Sequence, residues 1–309
     1  MDAAALGERV NLLGPWLRRR LGRPVVKIGL DAGLGCPHRP ARTGAGGCSF
    51  CPPNASGRGE GRGDVAGQLA RGLAKLQARR RPGRPLPAVL AYFQAFSSTF
   101  APPEVLRRLY DQALADPRVA GLIVSTRPDC LDPPRWEVLD KFQGRTLFWL
   151  ELGLQSAHDA TLRRINRGHD RACFDQAVAE AQRRGIRVVA HVILGLPGEG
   201  LEQTNATARH LASLGVWGVK LHNLMVLEGA ALAAQWRRGG FRPWGRERWA
   251  RAAGEFLARL PGEVLIHRLA ADPGPDRLLA PRWAADKDRA LSALLEYLRA
   301  HDLRQGELA

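Results

Sequence analysis

The sequence predicts an α/β protein in which parallel strands form a partial (β/α)6-type barrel, with a short N-terminal helix and a C-terminal extension. Short apolar runs rich in Val, Ile and Leu recur along the chain, and segments with helical periodicity lie between them. This alternation favours a parallel sheet with right-handed crossovers. Polar, glycine-containing segments follow several of the runs. Since such folds carry their functional groups in the loops after the strands, we expect the site at one rim of the barrel.

Seven apolar runs are the predicted strands. In chain order they cover residues 24–30, 88–96, 119–126, 146–154, 185–196, 215–224 and 263–269. Helices are predicted over residues 64–80, 103–115, 170–184, 201–214, 246–260 and 284–303. We divide the chain into an N-terminal helical extension (1–23), a core domain (24–240) and a C-terminal extension packed on the core (241–309).

Length and composition indicate a protein with a sizeable core. The chain has 309 residues, of which 45% are hydrophobic, and no apolar run reaches the length of a membrane span. The first residues lack the order of a secretory signal, because their basic cluster follows the apolar residues. We therefore expect a cytoplasmic protein with reduced thiols and no membrane partner. Its five cysteines are not typical of a disulfide framework.

The chain is strongly basic. It has 46 basic and 30 acidic residues, which give a net charge of +16. A basic surface attracts the phosphates of nucleic acid. Only five of the basic residues are lysines, and together with the many alanines and glycines this also fits a biased genomic composition. Charge alone therefore favours a nucleic-acid partner only slightly.

A glycine-rich loop over residues 33–59 holds three of the five cysteines: Cys36, Cys48 and Cys51. Structural zinc usually has four protein ligands, and only His38 is close enough in sequence to be the fourth. A [4Fe–4S] cluster held by three thiolates leaves one iron open for the amino and carboxylate groups of S-adenosylmethionine. The spacing alone leaves cluster and zinc comparable, and buried apolar cysteines are a third interpretation.

The sequence resembles a known family in seven ordered segments. The first, KIGLDAGLGCPHRPARTGAGGCSFC (27–51), resembles the elongator-like radical SAM proteins and more closely the small YhcC/YtqA-type bacterial family. The others are AYFQAFSSTFAP (91–102), STRPDCL (125–131), LELGLQSAHDATLRRINRGHD (150–170), GIRVVAHVILGLPGE (185–199), VKLHNLMVLEGAAL (219–232) and APRWAADK (280–287). The resemblance covers nearly the whole chain and implies the partial barrel of radical SAM proteins. The cysteine spacing is longer than the common C-x3-C-x2-C form but fits the elongator-like loop.

The resemblance implies which residues hold the cofactors. Cys36, Cys48 and Cys51 would ligate the [4Fe–4S] cluster. S-adenosylmethionine would be held at the ends of successive strands by Phe50, Gln94, Ser125, Glu151, Gln155, Arg163, His191 and Gly195. An aromatic residue at the position of Phe50 packs near the adenine in the family. Gln94 would take the methionine amino group, although the chain lacks the family's Gly-Gly-Glu there, and Arg163 would bind the carboxylate.

Lys220 and Glu151 are the predicted catalytic residues. Lys220 lies inside the predicted barrel and resembles an elongator position near the substrate. The resemblance implies an enzyme that cleaves S-adenosylmethionine to a 5′-deoxyadenosyl radical and acts in modification of tRNA at C5 of the wobble uridine. Its expected partners are tRNA and an electron donor such as flavodoxin or ferredoxin. The alternatives are a radical SAM enzyme for a small metabolite or cofactor precursor, and a zinc-loop RNA-binding protein.

Several of these residues also have a purely structural interpretation. Glu151 and Gln155 would cap the following helix, His191 would be a satisfied core histidine, and Lys220 would form a structural ion pair. Gly168 in NRGH (166–169) would end a helix in a left-handed conformation.

Outside the cysteine loop, Cys130 and Cys173 are expected to pack as small apolar residues. Three tryptophans, Trp236, Trp244 and Trp249, alternate with arginines over residues 234–249. Basic and aromatic residues together suit an RNA surface, but an amphipathic helix explains them equally well.

Overall fold

The central feature of the fold is a curved sheet of seven parallel strands, packed against helices as a half-barrel. A computed structural model describes residues 2–39, 46–53, 63–80, 83, 85–272 and 277–309. The nine described strands are β1 Val25–Leu30, β2 Ala88–Phe93, β3 Val119–Thr126, β4 Leu147–Gln155, β5 Val188–Leu194, β6 Gly218–Asn223, β7 Val226–Leu227, β8 Leu265–Arg268 and β9 Leu278–Ala280. The main sheet has the order β1-β2-β3-β4-β5-β6-β8, and β7 pairs with β9 in a small antiparallel ribbon.

Helices connect the strands in the described parts of the chain. They are α1 Ala3–Gly7, α2 Leu13–Leu21, α3 Val65–Ala78, α4 Pro103–Leu114, α5 Pro133–Asp140, α6 Asp159–Arg164, α7 Arg171–Arg183, α8 Leu201–Ser213, α9 Ala231–Arg237, α10 Arg246–Ala258 and α11 Lys287–Ala300. Aspartate side chains cap the N-termini of five of them, at Asp2, Asp64, Asp132, Asp170 and Asp286. Such caps satisfy backbone amides that have no partner within the helix.

The predicted fold class is confirmed. All seven predicted strands are present in one parallel sheet: β3 has the predicted bounds, β4 is shifted by one residue, and the other five are shorter by one to five residues. The expected N-terminal helical extension consists of two helices, α1 and α2, with an extended segment at Asn11–Leu12 between them. That segment bridges to the sheet: the Ile266 amide donates to the Asn11 carbonyl at 2.8 Å.

Alternate residues of each strand face two different environments, as the period of a strand requires. One face packs against the surrounding helices and forms the largest apolar cluster, with Phe93, Leu122, Leu150 and Val219 among its buried members. The opposite face lines the inside of the half-barrel.

The inside of the half-barrel is apolar near the beginning of the strands. Leu90, Trp149 and Val189 form a second apolar cluster there, and Leu13 and Leu17 of α2 join it. The amphipathic N-terminal helix therefore packs on the lower interior of the half-barrel. Further along the strands the inward residues become polar, which places polar groups towards the rim where the strands end.

The C-terminal part of the chain contributes both a strand and helices. β8 extends the main sheet beside β6, and α10 packs against α8 and α11. The division at residues 240 and 241 stays a prediction. Within the described parts of the chain, no helix combines the length and apolar character that crossing a membrane requires.

Candidate functional site

The cysteine loop follows β1, and a buried arginine ties its described parts together. The Arg39 guanidinium donates to the carbonyls of Gly46, Pro52 and Pro53 at 2.5, 2.8 and 3.1 Å. Gly47 has a φ of +90°, and a Cβ there would lie 2.7 Å from the Arg39 guanidinium. A side chain at position 47 would therefore strain the backbone and displace the arginine.

Three backbone contacts anchor the loop to the rim. The Ser49 amide donates to the Ile165 carbonyl at 2.8 Å, and the Leu232 amide donates to the Ser49 carbonyl at 2.8 Å. The Asn166 side chain donates to the Gly47 carbonyl at 2.9 Å. The loop is thus held by segments that follow β4 and β7.

Two buried arginines face the Cys48 thiol. Nη1 of Arg167 lies 3.4 Å from its sulfur, and Nη1 of Arg127 lies 3.9 Å away. Burial alone would raise the pKa of Cys48, but Arg167, a hydrogen bond from His38 and Arg127 outweigh it and lower that pKa to about 6. Cys48 is therefore mainly a thiolate at neutral pH, which is the form that binds metals.

The other two cysteines lie in turns of the same loop. Cys36 and Arg39 exchange backbone hydrogen bonds at 2.8 and 3.4 Å, and the Cys51 amide donates to the Cys48 carbonyl at 2.9 Å. Among the residues that the structure describes, no three Cys, His, Asp or Glu side chains converge as a metal site. The gathering of the three thiols around one centre therefore stays a prediction.

His38 packs on Gly168, which has a φ of +79°. A Cβ at Gly168 would lie 1.8 Å from Nε2 of His38, so glycine is required for this contact. The left-handed conformation expected for Gly168 is confirmed.

A second polar group lies on the inner face of the half-barrel and centres on Glu151 of β4. Oε2 of Glu151 accepts hydrogen bonds from Tyr92 at 2.6 Å and Lys220 at 2.7 Å, and it lies 2.7 Å from Nε2 of His191. Lys220 also lies 2.5 Å from the Tyr92 hydroxyl. Because these residues come from β2, β4, β5 and β6, the sheet itself assembles this group.

Further cations and rings surround the other carboxylate oxygen. Nζ of Lys27 lies 3.8 Å from Oε1 of Glu151, Nδ1 of His267 lies 3.9 Å from it, and Nε1 of Trp149 donates to it at 3.3 Å. Burial alone would raise the pKa of Glu151, but Lys220 and Lys27 hold that pKa well below its usual range. Glu151 is therefore ionised although its side chain is fully buried.

Burial and the excess of positive charge also lower the pKa values of Lys220 and His191. Burial lowers the pKa of Lys220 to about 7 against the attraction of Glu151, and Arg268 and Lys27 lower it further. Burial, followed by Lys220, lowers the pKa of His191 to about 4. His191 is therefore neutral at pH 7, and Lys220 can gain or lose a proton there.

The remaining predicted cofactor residues lie at or near the ends of the strands. Gln94 directly follows β2, and Ser125 of β3 is in register with Glu151. Gln155 is buried at the end of β4 with a φ of 77°. Gly195 follows β5 and faces the Trp244 ring, and Phe50 packs on the apolar cluster that contains Ile193.

Arg163 differs from several of these residues in its exposure. It is exposed on α6, whereas Arg167, four residues later, is buried and donates to the Gly153 carbonyl at 2.7 Å. Sequence reasoning missed Arg167, and it also missed Arg127, Tyr92 and Lys27. Their signals were present: Arg127 directly follows β3, and Tyr92 and Lys27 are polar-tipped residues within apolar strands.

Of the purely structural roles considered for single residues, the helix caps are absent, whereas the ion pair and the hydrogen-bonded histidine are present. Neither Glu151 nor Gln155 caps a helix, since α6 begins after His158 and both residues belong to β4. Lys220 forms the expected ion pair, and His191 has a hydrogen-bond partner. Cys130 is buried, and burial raises its pKa to about 11. Cys173 is half-buried on α7.

The tryptophans of residues 234–249 serve packing. Trp249 and Trp244 are 1% and 9% exposed, and Trp236 packs on a small apolar cluster. The protein thus encloses two of the three rings, and Trp236 is half-buried.

Two family models together match the cysteine loop and most of the half-barrel. The Radical SAM superfamily model matches residues 33–211, and the Radical SAM C-terminal domain model matches residues 216–300. Protein YhcC of Escherichia coli (strain K12) is 38% identical over 304 residues, which cover 98% of this chain and 96% of that protein.

More distant likenesses point to the elongator proteins. The tRNA uridine(34) acetyltransferase of Dehalococcoides mccartyi is 29% identical over 161 residues, which cover 51% of this chain and 34% of that protein. The N-terminally truncated Elp3 of the archaeon Methanocaldococcus infernus superposes with a TM-score of 0.63 at 20% identity, over 78% of this chain and 60% of that one. At that identity the superposition shows the fold alone.

Proposed function

Because this chain belongs to the radical SAM superfamily, and within it to the family of protein YhcC, we propose that it uses one [4Fe–4S] cluster, held by Cys36, Cys48 and Cys51, to cleave S-adenosylmethionine. The observation that carries this proposal is the Cys48 thiol between Arg167 and Arg127. Its pKa of about 6 fits a thiolate ligand. Family membership favours this enzyme over the zinc-loop protein.

The cluster, when bound, supplies the electron that splits S-adenosylmethionine into methionine and a 5′-deoxyadenosyl radical. The protein's own residues position the reactants and keep charges balanced. Arg167 and Arg127 offset the negative charge of the thiolates, and Arg39 keeps the two described ends of the loop together.

The proposed S-adenosylmethionine site lies at the rim of the half-barrel, where the strands end. We propose that Phe50, Gln94, Ser125, Gln155 and Gly195 contact it, because the ends of successive parallel strands meet at one edge of the sheet. Glu151 and His191 line the same face and lie 2.7 Å apart. Arg163 is proposed for the methionine carboxylate, although Arg167 is the arginine that is buried beside Cys48.

Lys220 and Glu151 are the proposed catalytic pair. The pKa of Lys220, which burial lowers to about 7, allows its Nζ to hold or release a proton at neutral pH. Glu151 and Tyr92 fix the position of that Nζ through hydrogen bonds at 2.7 and 2.5 Å.

The proposed substrate is tRNA, modified at or beside a C5 substituent of the wobble uridine. Two observations support it: the distant likeness to a tRNA uridine(34) acetyltransferase and the net charge of +16. That relative is about three times as long as the matched segment, so its acetyltransferase activity is not proposed for this chain.

The first test is anaerobic reconstitution with iron and sulfide. We expect a broad absorption band near ~400 nm from thiolate-bound iron and sulfide. Dithionite and S-adenosylmethionine should then yield 5′-deoxyadenosine, measured by chromatography. Zinc in place of iron, with no 5′-deoxyadenosine, would exclude the enzyme.

The second test concerns the substrate. Affinity for bulk tRNA should fall steeply with salt, because phosphate contacts release counterions. Addition of tRNA should stimulate 5′-deoxyadenosine formation and change a wobble nucleoside, measured by mass spectrometry after digestion. Stimulation by a small-metabolite extract but not by tRNA would favour the metabolite enzyme.

A further inference from the structure

The inner face of the half-barrel holds more positive than negative charge. Lys27, Lys220 and Arg268 are its cations, and of the described residues only Glu151 forms a carboxylate ion pair with this group. Arg268 belongs to β8 and is in register with Lys220 of β6. With Lys220 close to its pKa of about 7, the group carries an excess of between one and two positive charges at neutral pH.

Arg268 is the cation of this group that has no carboxylate partner among the described residues. It is half-buried, and in the described parts of the chain its guanidinium has neither an ion pair nor a hydrogen bond. Its charge is near enough to lower the pKa of Lys27, Lys220 and His191. A guanidinium beside two lysines is repelled by their positive charge, and an anionic partner would relieve that repulsion.

Unpaired ring nitrogens lie beside these cations. Nε2 of His222 and Nε2 of His267 are buried and have no hydrogen-bond partner among the described residues. The His222 ring lies 5.3 Å from the ring of His191. The interior therefore offers hydrogen-bond donors in addition to excess charge.

Arg268 lies on the other side of the half-barrel from the strand that meets the cysteine loop. The Gly153 carbonyl of β4 accepts from Arg167, the arginine that contacts Cys48. Arg268 shares the level of Gly153 through the pairs Gly153–His191, His191–Lys220 and Lys220–Arg268, but β8 is three strand spacings from β4, at most about 14 Å along the sheet. The cations that face the Cys48 thiol are Arg167 and Arg127, so Arg268 is not one of them.

We propose that this interior binds a carboxylate or phosphate group of the substrate, between the Arg268 guanidinium and the ammonium groups of Lys27 and Lys220. The guanidinium presents a planar fork that matches either oxyanion, and the lysines add charge without fixed geometry. The assignment of the anion to a substrate rests on the proposed function, whereas the presence of an anion site does not.

The test uses the full chain with its cluster loaded, without reductant and without S-adenosylmethionine. Inorganic phosphate and acetate are the probes, at constant ionic strength. Because the chain has only five lysines, labelling by methyl acetimidate can be followed at each one by mass spectrometry. We expect either probe to protect Lys27 saturably and to leave the exposed Lys141 and Lys287 unprotected.

Arg268→Gln should weaken this protection about tenfold or more, since a charge-assisted contact is lost. Arg289→Gln is the matched control, because Arg289 is an exposed arginine on α11. Arg268→Lys serves if the glutamine variant does not fold, and it should weaken protection less. Tighter protection by phosphate assigns a phosphate group to the substrate, and tighter protection by acetate assigns a carboxylate.

Three results would overturn the proposal: no saturable protection of Lys27, equal protection in Arg268→Gln and the native chain, or protection of Lys27 by S-adenosylmethionine alone with neither probe present. The last would mean that the methionine carboxylate occupies the site. Protection that persists in a protein that makes no 5′-deoxyadenosine would instead reject the proposed function and retain the anion site.

Discussion

The cysteine loop and the inner face of the half-barrel solve the same electrostatic problem by different means. In the loop, the Cys48 thiolate lies between Arg167 and Arg127. On the inner face, the Glu151 carboxylate lies between Lys220 and Lys27. Each region surrounds one anion with two cations of the protein. The loop depends on side chains that bind backbone carbonyls, whereas the inner face depends on the register of neighbouring strands.

The two regions are expected to differ in what a substitution changes: cluster binding in the loop, and stability of the fold on the inner face. We expect the loop to tolerate loss of its proposed metal ligands without loss of the fold, because the Cys36, Cys48 and Cys51 thiols lie outside the apolar clusters. The inner face cannot lose its carboxylate so easily, because four strands direct charges or hydrogen bonds at Glu151. We therefore expect substitutions in the loop to act on the cluster and substitutions on the inner face to act on stability.

The largest expected effect is loss of the cluster in Cys51→Ala. Iron content and the visible band should fall to background, because a thiolate ligand is removed. Far-ultraviolet circular dichroism should match that of the native chain. Cys130→Ala is the control: it removes a buried thiol outside the loop and should keep the cluster. Global unfolding of Cys51→Ala would break the distinction between the two regions.

The next effect concerns Glu151→Gln. The variant leaves Lys220 and Lys27 without their counter-charge, which should lower the free energy of unfolding by about 3–5 kcal/mol. Urea denaturation of the apoprotein measures it. Glu247→Gln removes an exposed carboxylate that pairs with Arg246 and should leave the midpoint unchanged. An unchanged midpoint in Glu151→Gln would show that the inner face does not need its carboxylate.

An intermediate effect is expected in Arg39→Met, which keeps the apolar stem but removes three hydrogen bonds to carbonyls. Buried carbonyls without partners cost about 1–3 kcal/mol, so the loop should open and bind less iron. Iron per chain after reconstitution is the measurement. Arg299→Met changes an exposed arginine and should bind as much iron as the native chain. Full iron occupancy in Arg39→Met would contradict the role of this clamp.

The smallest effect is a slope in stability with pH. In the unfolded chain Lys220 keeps its proton to about pH 10, whereas in the folded chain burial lowers its pKa to about 7. Between these values the unfolded state binds more protons, so stability should rise by about 1 kcal/mol per pH unit. Lys220→Met should lack this slope in urea titrations at pH 7 to 9. Parallel curves for the two proteins would mean that Lys220 stays protonated.

The sequence predicted the cysteine loop and the strands more completely than it predicted the polar group on the inner face. Cys36, Cys48 and Cys51 are close in the chain, and the apolar runs mark the strands directly. The cluster around Glu151 could not be predicted as a unit, because its members are dispersed over six strands. Which of them meet depends on register, including the shift between Val219 and Lys220.

Arginines were the other gap in prediction. Arg39, Arg127 and Arg167 are each about 4–5% exposed, although arginine is among the residues least often buried. The basic residues of this chain are nearly all arginines. The sequence alone therefore does not distinguish the few buried arginines from the many exposed ones. Only the burial and partners of these residues separate them from the solvated ones.

The N-terminal residues have a consequence for how the molecules behave towards one another. An open parallel sheet ends in two strands with free hydrogen-bonding edges, and such edges are templates for pairing with another chain. Here α2 lies against both edge strands, β1 and β8, and the Asn11 carbonyl accepts a hydrogen bond from the Ile266 amide of β8. These residues thus act as a guard against self-association. A chain that lacked residues 1–23 would expose β8 and should form oligomers or aggregates even where its sheet remained intact.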